Sequence, residues 1–549
     1  MKRLLTLLLT VLFALPAAAA DKKPNILFLF ADDWGRYASI YAEVNGPGGI
    51  NDVVRTPNFD KIAKKGVLFR HAHVNAPSCT PCRSSLLSGQ YFWRTGRGAI
   101  LRGAVWDEKI PAYPLLLKDA GYHIGKSYKV WGPGTPSDAP YGQQAHAYQK
   151  AGSRFNNFSE NVTQMVAKGQ PLEAAKEELY SEIRTNFRDF LTDNKDDKPF
   201  CYWFGPTNVH RSWIPGSGKK LWNINPDDLK GKLPPYLPDV PEVREDLADY
   251  FGEIAAWDHA IGVHIAELEK AGVLDNTLIA ISGDHGAPGF PHGKCNLYGF
   301  GTGVSLILSG PGIKGGRVVD DMVSLPDLAP TFLEAGGVKP PAVMTGRSLW
   351  NVLRSERQGL VDPARTWVVA GRERHVEIAR PDYTPYPQRV LRTLDHALIV
   401  NFKPERWPLG DHYRLDGKDE PTFDEVAKTT FVTLPDDDAG PTKAWFVGAR
   451  KSPEWSAQFD KFYGRRPMFE LYDLRKDPDE MNNVAEDPAY AAIRKEMTER
   501  LFTILRETGD PRMTDEGKYF ETPPLAGPLP NQGQKRLPGG QPVKKGKKK

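Results

Sequence analysis

The feature that most constrains the fold is a pair of apolar runs, each ending in acid. Asn25-Ile26-Leu27-Phe28-Leu29-Phe30 is almost continuously apolar, follows Pro24 and stops at Asp32-Asp33. Leu278-Ile279-Ala280-Ile281 repeats the design and ends in Ser282-Gly283-Asp284-His285-Gly286. Runs this short without polar alternation suit strands covered on both faces, as in a parallel sheet. Between them, residues 244–270 place Leu247, Tyr250, Ile254, Trp257, Ile261, Ile265 and Leu268 at helical spacing, with Gly272 as a stop. Strands alternating with helices predict an α/β fold with a large, mostly parallel sheet between helical layers. Ligands in such sheets collect at the carboxyl ends of strands, where both acidic clusters fall.

After about residue 370 the pattern changes. Arg389-Val390-Leu391-Arg392-Thr393, Ala397-Leu398-Ile399-Val400 and Phe469-Glu470-Leu471-Tyr472-Asp473-Leu474 read as antiparallel strands, followed by a helix from about Pro488 to Glu507. The expected organisation is a leader over 1–20, a catalytic α/β domain over 21–370, a smaller α+β domain over 371–510, and a disordered basic tail over 511–549. Lys2-Arg3, the apolar run to Leu15, Pro16 and Ala18-Ala19-Ala20 form the leader, which has the pattern of a secretory signal peptide and is too short to span a bilayer. The expectation is therefore a secreted or periplasmic protein without a transmembrane anchor. Five lysines among the last six residues exceed the whole net charge of +4. The body is near neutral, which argues against a nucleic-acid partner.

Four cysteines, Cys79, Cys82, Cys201 and Cys295, are too few to hold an exported chain of 549 residues together. The close pair Cys79 and Cys82 needs a chemical account. In Ser78-Cys79-Thr80-Pro81-Cys82-Arg83 a helix is expected to begin, with Thr80 as its N-cap, Pro81 at its first position and Gly89 at its end. Cys79 then lies just ahead of a helix N-terminus, where free N–H groups favour an anion, and Arg83 adds a fixed positive fork. A thioredoxin-like redox pair is the alternative reading of the same residues, although it leaves Arg83 and the acidic tips unexplained. Asp32-Asp33 alone could cap a helix; with Asp284-His285 at a second strand end, a shared metal is the better account. His259, His264 and Asp258 on the long helix read as packing residues.

The order Cys-x-Pro-Cys-Arg followed by Leu86-Leu87-Ser88-Gly89 resembles the signature of the type I sulfatases, formylglycine-dependent members of the alkaline phosphatase superfamily. "NILFLFADDWG", "SGDHG", "GYHIGKSYKVWG" and "FELYDLRKDPDEMNNVAEDP" resemble further blocks of that family, in the same order over residues 24–507. The resemblance implies that a formylglycine-generating enzyme oxidises Cys79 and that the hydrated aldehyde is the nucleophile on sulfur. It also implies a cation at Asp32, Asp33, Cys79, Asp284 and His285. Three carboxylates and an oxygen favour Ca²⁺, with Mg²⁺ or Mn²⁺ as alternatives, since the imidazole of His285 tolerates softer ions. By the same resemblance Lys129 and Lys294 bind sulfate, Arg83 holds residue 79, and His210 protonates the leaving group.

The chain departs from the family at Lys129-Val130-Trp131, where Lys-x-His is common, and His292 is the expected substitute for that histidine. "GKCNLYGFGTGVSLIL" and "RHVEIARPDYTPYPQRVLRT" resemble the heparan N-sulfatase branch. That implies a sulfated glycan substrate, N-sulfoglucosamine being the sharpest form, with His375, Glu377 and Arg389 as its sugar-facing wall. A phosphonate or phosphodiester hydrolase of the same superfamily is the competing expectation.

Overall fold

The computed structural model describes residues 22–141 and 144–528. Seven strands, β1 (Asn25–Ala31), β2 (Val67–His73), β3 (His123–Tyr128), β4 (Phe200–Gly205), β5 (Thr277–Gly283), β6 (Leu306–Ser309) and β7 (Arg317–Ser324), form one sheet in the order β3-β4-β1-β5-β6-β2-β7. All neighbours pair in parallel except β6, which runs antiparallel to β5 and β2. The two acid-terminated runs are adjacent: β1 pairs with β5 in register from Asn25↔Thr277 to Ala31↔Gly283.

Central position explains the unbroken apolar run. Successive side chains of a strand point to opposite faces, and β1 divides its residues between two cores. Leu27, Leu29 and Ala31 join one hydrophobic cluster, which includes Phe187 of the helix Leu172–Asp193 and Leu247, Ile254 and Trp257 of the helix Pro241–Lys270. Ile26, Phe28 and Phe30 join the other, which includes Leu86, Leu117 and Phe332 of the helices Cys79–Ser88, Tyr113–Asp119 and Leu328–Ala335. With both faces covered, truncating Leu29 or Phe28 to Ala would cost about 2–5 kcal/mol. The long helix starts at Pro241, three residues before the expected position, because Pro241 occupies the first turn without needing a donor.

The tips of β1 and β5 approach closely because residue 283 is glycine: a Cβ there would lie 2.1 Å from the Trp34 carbonyl oxygen. Tyr250 of the long helix donates its hydroxyl to the Asp33 carbonyl at 2.8 Å and fixes that approach from behind.

A second, antiparallel sheet carries β8 (Trp367–Arg372), β9 (Gln388–Thr393), β10 (His396–Asn401) and β11 (Phe469–Asp473) in the order β11-β10-β9-β8. The boundary expected at 370 therefore cuts through β8. The tail also starts later than expected. Residues 511–528 carry short helices at Pro511–Thr514 and Lys518–Glu521, and Phe520 and Leu525 are buried in the core beneath the second sheet. Averaging this segment with the Pro-, Gly- and Lys-rich remainder hid its anchors. Arg374 donates to the Gly527 carbonyl at 2.9 Å, and Arg512 pairs with Glu373 and Glu521. The leader and the terminal lysines lie outside the described residues.

All four cysteines are free and buried. Among the described residues no helix is long and apolar enough to cross a membrane.

Candidate active site

Cys79 opens the helix Cys79–Ser88 as a buried residue. Four residues on, Arg83 is fully buried and works as a clamp between strand tips. Its Nη2 donates to Asp32 Oδ1 at 2.9 Å, its Nε to Asp284 Oδ2 at 3.0 Å, and its Nη1 to the Lys129 carbonyl at 3.1 Å. One guanidinium thus ties the helix that opens with Cys79 to the ends of β1 and β5 and to the loop after β3. A planar fork can satisfy both carboxylates where a lysine would reach only one.

The other predicted groups converge on the same spot. Lys129 Nζ lies 2.6 Å from Asp32 Oδ2. Lys294 Nζ donates to Asp33 Oδ2 at 3.2 Å and lies 3.2 Å from His210 Nε2. His285 Nε2 stands 3.5 Å from Cys79 Sγ, 3.3 Å from Asp33 Oδ1 and 3.5 Å from Asp284 Oδ1. The β1 tip is tied to the His210 loop by the Val209 N–H, which donates to the Asp32 carbonyl at 3.0 Å.

Charge follows from burial and from these pairs. Burial would raise the Asp32 carboxyl, yet Lys129 and Arg83 outweigh it and hold Asp32 well below the usual carboxylate range. Burial alone would lower Lys294, but Asp33 and then Asp438 hold it well above its ordinary value. Burial, reinforced by the Asp32 charge, pushes the Cys79 thiol far up. An unmodified Cys79 is therefore a protonated thiol at neutral pH, not the nucleophilic thiolate of a redox pair. Cys82 is raised by burial as well and packs in the apolar cluster under the sheet. A thioredoxin-like site needs the opposite shift, which speaks against that alternative.

The donor set suits a hard cation. Atoms of Asp33, Cys79 and His285 lie within 4.8 Å of one another, as do those of Asp32, Cys79 and Asp284. Asp33 Oδ1 is buried with no hydrogen bond of its own. His285 Nδ1 lies 3.2 Å from the Gly286 carbonyl. That contact assigns the proton to Nδ1 and leaves the Nε2 lone pair aimed at the carboxylates, the tautomer of a ligating imidazole. The residues present therefore fit a divalent ion.

Four expected site residues need correction. His292 does not join the Cys79 cluster; its ring stacks 3.9 Å from Tyr298 and 4.9 Å from Tyr236, in a separate cavity beside Arg36. At the position where a histidine was expected, Trp131 is buried and donates Nε1 to Ser84 Oγ at 2.7 Å. Arg389 faces no substrate space: fully buried, it pairs with Asp510 and Glu373 at 2.6 and 2.9 Å and holds the C-terminal segment to the second sheet. His375 is buried against the residue before Cys79, its Nδ1 2.8 Å from Ser78 Oγ, and burial lowers its pKa to about 3. Glu377 is half-buried and lines neither cavity that borders the site.

Sequence reasoning missed Asp438. Its Oδ2 lies 3.0 Å from Lys294 Nζ, and it groups with His210 and Asp33. The run Asp436-Asp437-Asp438 was visible, but no strand end or helix start marked it as part of a site. Two cavities flank the cluster. One, of about 570 Å³, is lined by His210, Trp213, Glu245, Phe423 and Asp438; the other, of about 520 Å³, by Lys129, Gln144, Gln149, Asn156 and Thr207.

The family model described as Sulfatase matches residues 24–338, which is more than half of the chain. The chain belongs to the sulfatase family. Residues 457–507 match the model described as N-sulphoglucosamine sulphohydrolase, C-terminal. Human N-sulphoglucosamine sulphohydrolase is 28% identical over 527 residues, covering 89% of this chain and 91% of the relative. An ulvan-active sulfatase of Formosa agariphila is 25% identical over 515 residues, covering 89% and 76%. Among solved structures, a protein in complex with its substrate D-glucosamine-2-N,6-O-disulfate superposes with a TM-score of 0.57 at 18% identity, covering 89% of this chain and 99% of that one. Phosphonate monoester hydrolase of Agrobacterium radiobacter does so with a TM-score of 0.57 at 18% identity, covering 88% and 96%. These last two likenesses establish the shared fold. As a sulfatase, the protein is a hydrolase of sulfate esters or sulfamates.

Proposed function

We propose that this sulfatase is exported and removes sulfate from a sulfated glycan, N-sulfoglucosamine above all, using residue 79 as formylglycine. The observation that carries the reading is the convergence of Cys79, Arg83, both acidic tips, two lysines and His210 on one point. When present, the formylglycine supplies an oxygen nucleophile, and a cation at Asp32, Asp33, Asp284 and His285, Ca²⁺ on the donor chemistry, lowers the pKa of that oxygen and draws charge from the sulfate.

The chain's own residues do the rest. Arg83 holds residue 79 and both tips in register. Lys129 and Lys294 bind the sulfate oxygens from two sides, each kept cationic by an aspartate. His210, about one-third exposed, faces the 570 Å³ cavity and donates a proton to the departing atom. That cavity carries Phe423 at 47% exposure on its rim, an aromatic face suited to a pyranose ring. The substrate reading is also supported by the human relative, which matches over nearly its whole length.

Peptide mass spectrometry across residue 79, on protein from its native host, should show a loss of about 18 Da relative to cysteine. Cys79→Ala should abolish turnover with the fold intact, whereas Cys82→Ser should keep substantial activity. If the Cys82 variant alone were dead, the role assignment would be wrong. A phosphonate or phosphodiester hydrolase would instead favour the phosphate over the sulfate ester of one phenol, and that comparison separates the two readings.

A further inference from the structure

Asp438 stands beside the proton donor and pairs with Lys294 at 3.0 Å, whereas its two neighbours are tied into the surrounding fold. Asp436 is buried between Arg372 and Arg380 and accepts the Val376 N–H at 2.9 Å. Asp437 accepts the Tyr463 hydroxyl at 3.0 Å, and its carbonyl accepts Lys443 Nζ at 2.7 Å. These two anchors present the next carboxylate to the active site. Asp438 lines the 570 Å³ cavity together with His210, and its ligating oxygen lies within 4.8 Å of both His210 and Asp33. Glu242 and Glu245 line the same cavity and add to its negative potential.

A negative wall is an odd choice for a site whose substrate is an anion, unless the product left there is a cation. Hydrolysis of a sulfate ester gives R–OH, sulfate and a proton from R–O–SO₃⁻ and water. Hydrolysis of a sulfamate gives R–NH₃⁺ and sulfate from R–NH–SO₃⁻ and water. Breaking the S–N bond with its electron pair going to nitrogen takes one proton to give R–NH₂ and a second to give R–NH₃⁺. His210 supplies the first as the bond breaks, and the second is the one released by the hydroxyl that bonds to sulfur. The nitrogen leaves positively charged, and a carboxylate within a few ångströms stabilises that charge electrostatically. An alcohol draws no such benefit.

We propose that Asp438 makes this site selective for sulfamates over sulfate esters, by stabilising the ammonium formed at the leaving nitrogen. The inference rests on the reading of the site as a sugar-sulfate hydrolase. Burial would protonate Asp438, but Lys294 and His210 outweigh it and keep the group anionic, as the role requires.

The test compares kcat/KM for N-sulfo-D-glucosamine, D-glucosamine 6-sulfate and 4-nitrophenyl sulfate in the mature enzyme and in Asp438→Asn and Asp438→Glu. Asp438→Asn should lower the ratio of sulfamate to ester turnover at least tenfold, and Asp438→Glu should recover part of it. Inhibition by glucosamine should weaken in Asp438→Asn in the same proportion, which reads the bound ammonium without the chemistry. Asp438→Ser repeats the measurement should the amide variant not fold. Parallel losses on all three substrates would overturn the inference and reduce Asp438 to a prop for Lys294. An enzyme that splits 4-nitrophenyl sulfate but no sulfamate would overturn this inference and the N-sulfate reading, while leaving the sulfatase assignment in place.

Discussion

Replacing Arg83 by Met tests the geometry of the site most directly. The side chain is fully buried, and it neutralises two carboxylates that are themselves buried. Met fills a similar volume but leaves Asp32 and Asp284 without that partner. Breaking a buried ion pair by removing one member costs about 3–5 kcal/mol, because the remaining charge stays desolvated. Lys129 still neutralises part of Asp32, so the lower half of that range is expected in metal-free protein. The α/β part of the chain has about 350 residues at roughly 2.1 cal/mol/K each, or about 0.7 kcal/mol/K in all, so a loss of about 3–4 kcal/mol lowers the melting temperature by about 4–6 °C.

The assay is thermal and urea unfolding in chelator, repeated with saturating Ca²⁺. Added cation should recover part of the loss, since the same two carboxylates would help to hold it. A loss below 1 kcal/mol in chelator, or no recovery with Ca²⁺, would refute the claim that Arg83 clamps a cation-binding cluster.

Two further outcomes follow from the same reasoning. His210→Ala should cost about 10²–10⁴-fold on sugar substrates and far less on 4-nitrophenyl sulfate, whose leaving group needs no proton; equal losses on both would remove His210 from the proton-donor role. Glu253 on the long helix has its pKa raised to about 7 by burial, against hydrogen bonds from Ser159 and Asn208. A raised carboxyl pKa means that the folded state binds the extra proton, so its contribution is fully present below about pH 4, falls as pH rises toward 7 and is gone above it. Urea stability should therefore decline between pH 5 and pH 7.5, and Glu253→Gln should make that decline shallower; an unchanged slope would count against the assignment.

Much of the site was legible because its residues sit in local patterns with a physical meaning. Acid at the end of an apolar run marks a strand tip, and Cys-x-Pro-Cys-Arg before a helical stretch marks an anion site at a helix start. These patterns located Asp32, Asp33, Asp284, His285, Cys79 and Arg83. The substrate wall was read less well. Arg389 was taken for a site residue from the family resemblance alone, yet its buried partners Asp510 and Glu373 lie 121 and 16 residues away. His292 was chosen for its nearness in sequence to Lys294, but the intervening turn aims the two side chains in different directions.

By itself, the order of residues determined the layered α/β architecture, the strand ends and the helix start, and the chemistry available at each. Those are properties of short segments, where periodicity, proline and charge act over a few residues. Tertiary structure alone decided which distant charges meet. Asp438 reaches Lys294 across 144 positions, and Trp131 takes a packing role in place of a catalytic one. Such pairings depend on how the second domain closes over the first, and burial in that closure sets the strength of every charge involved.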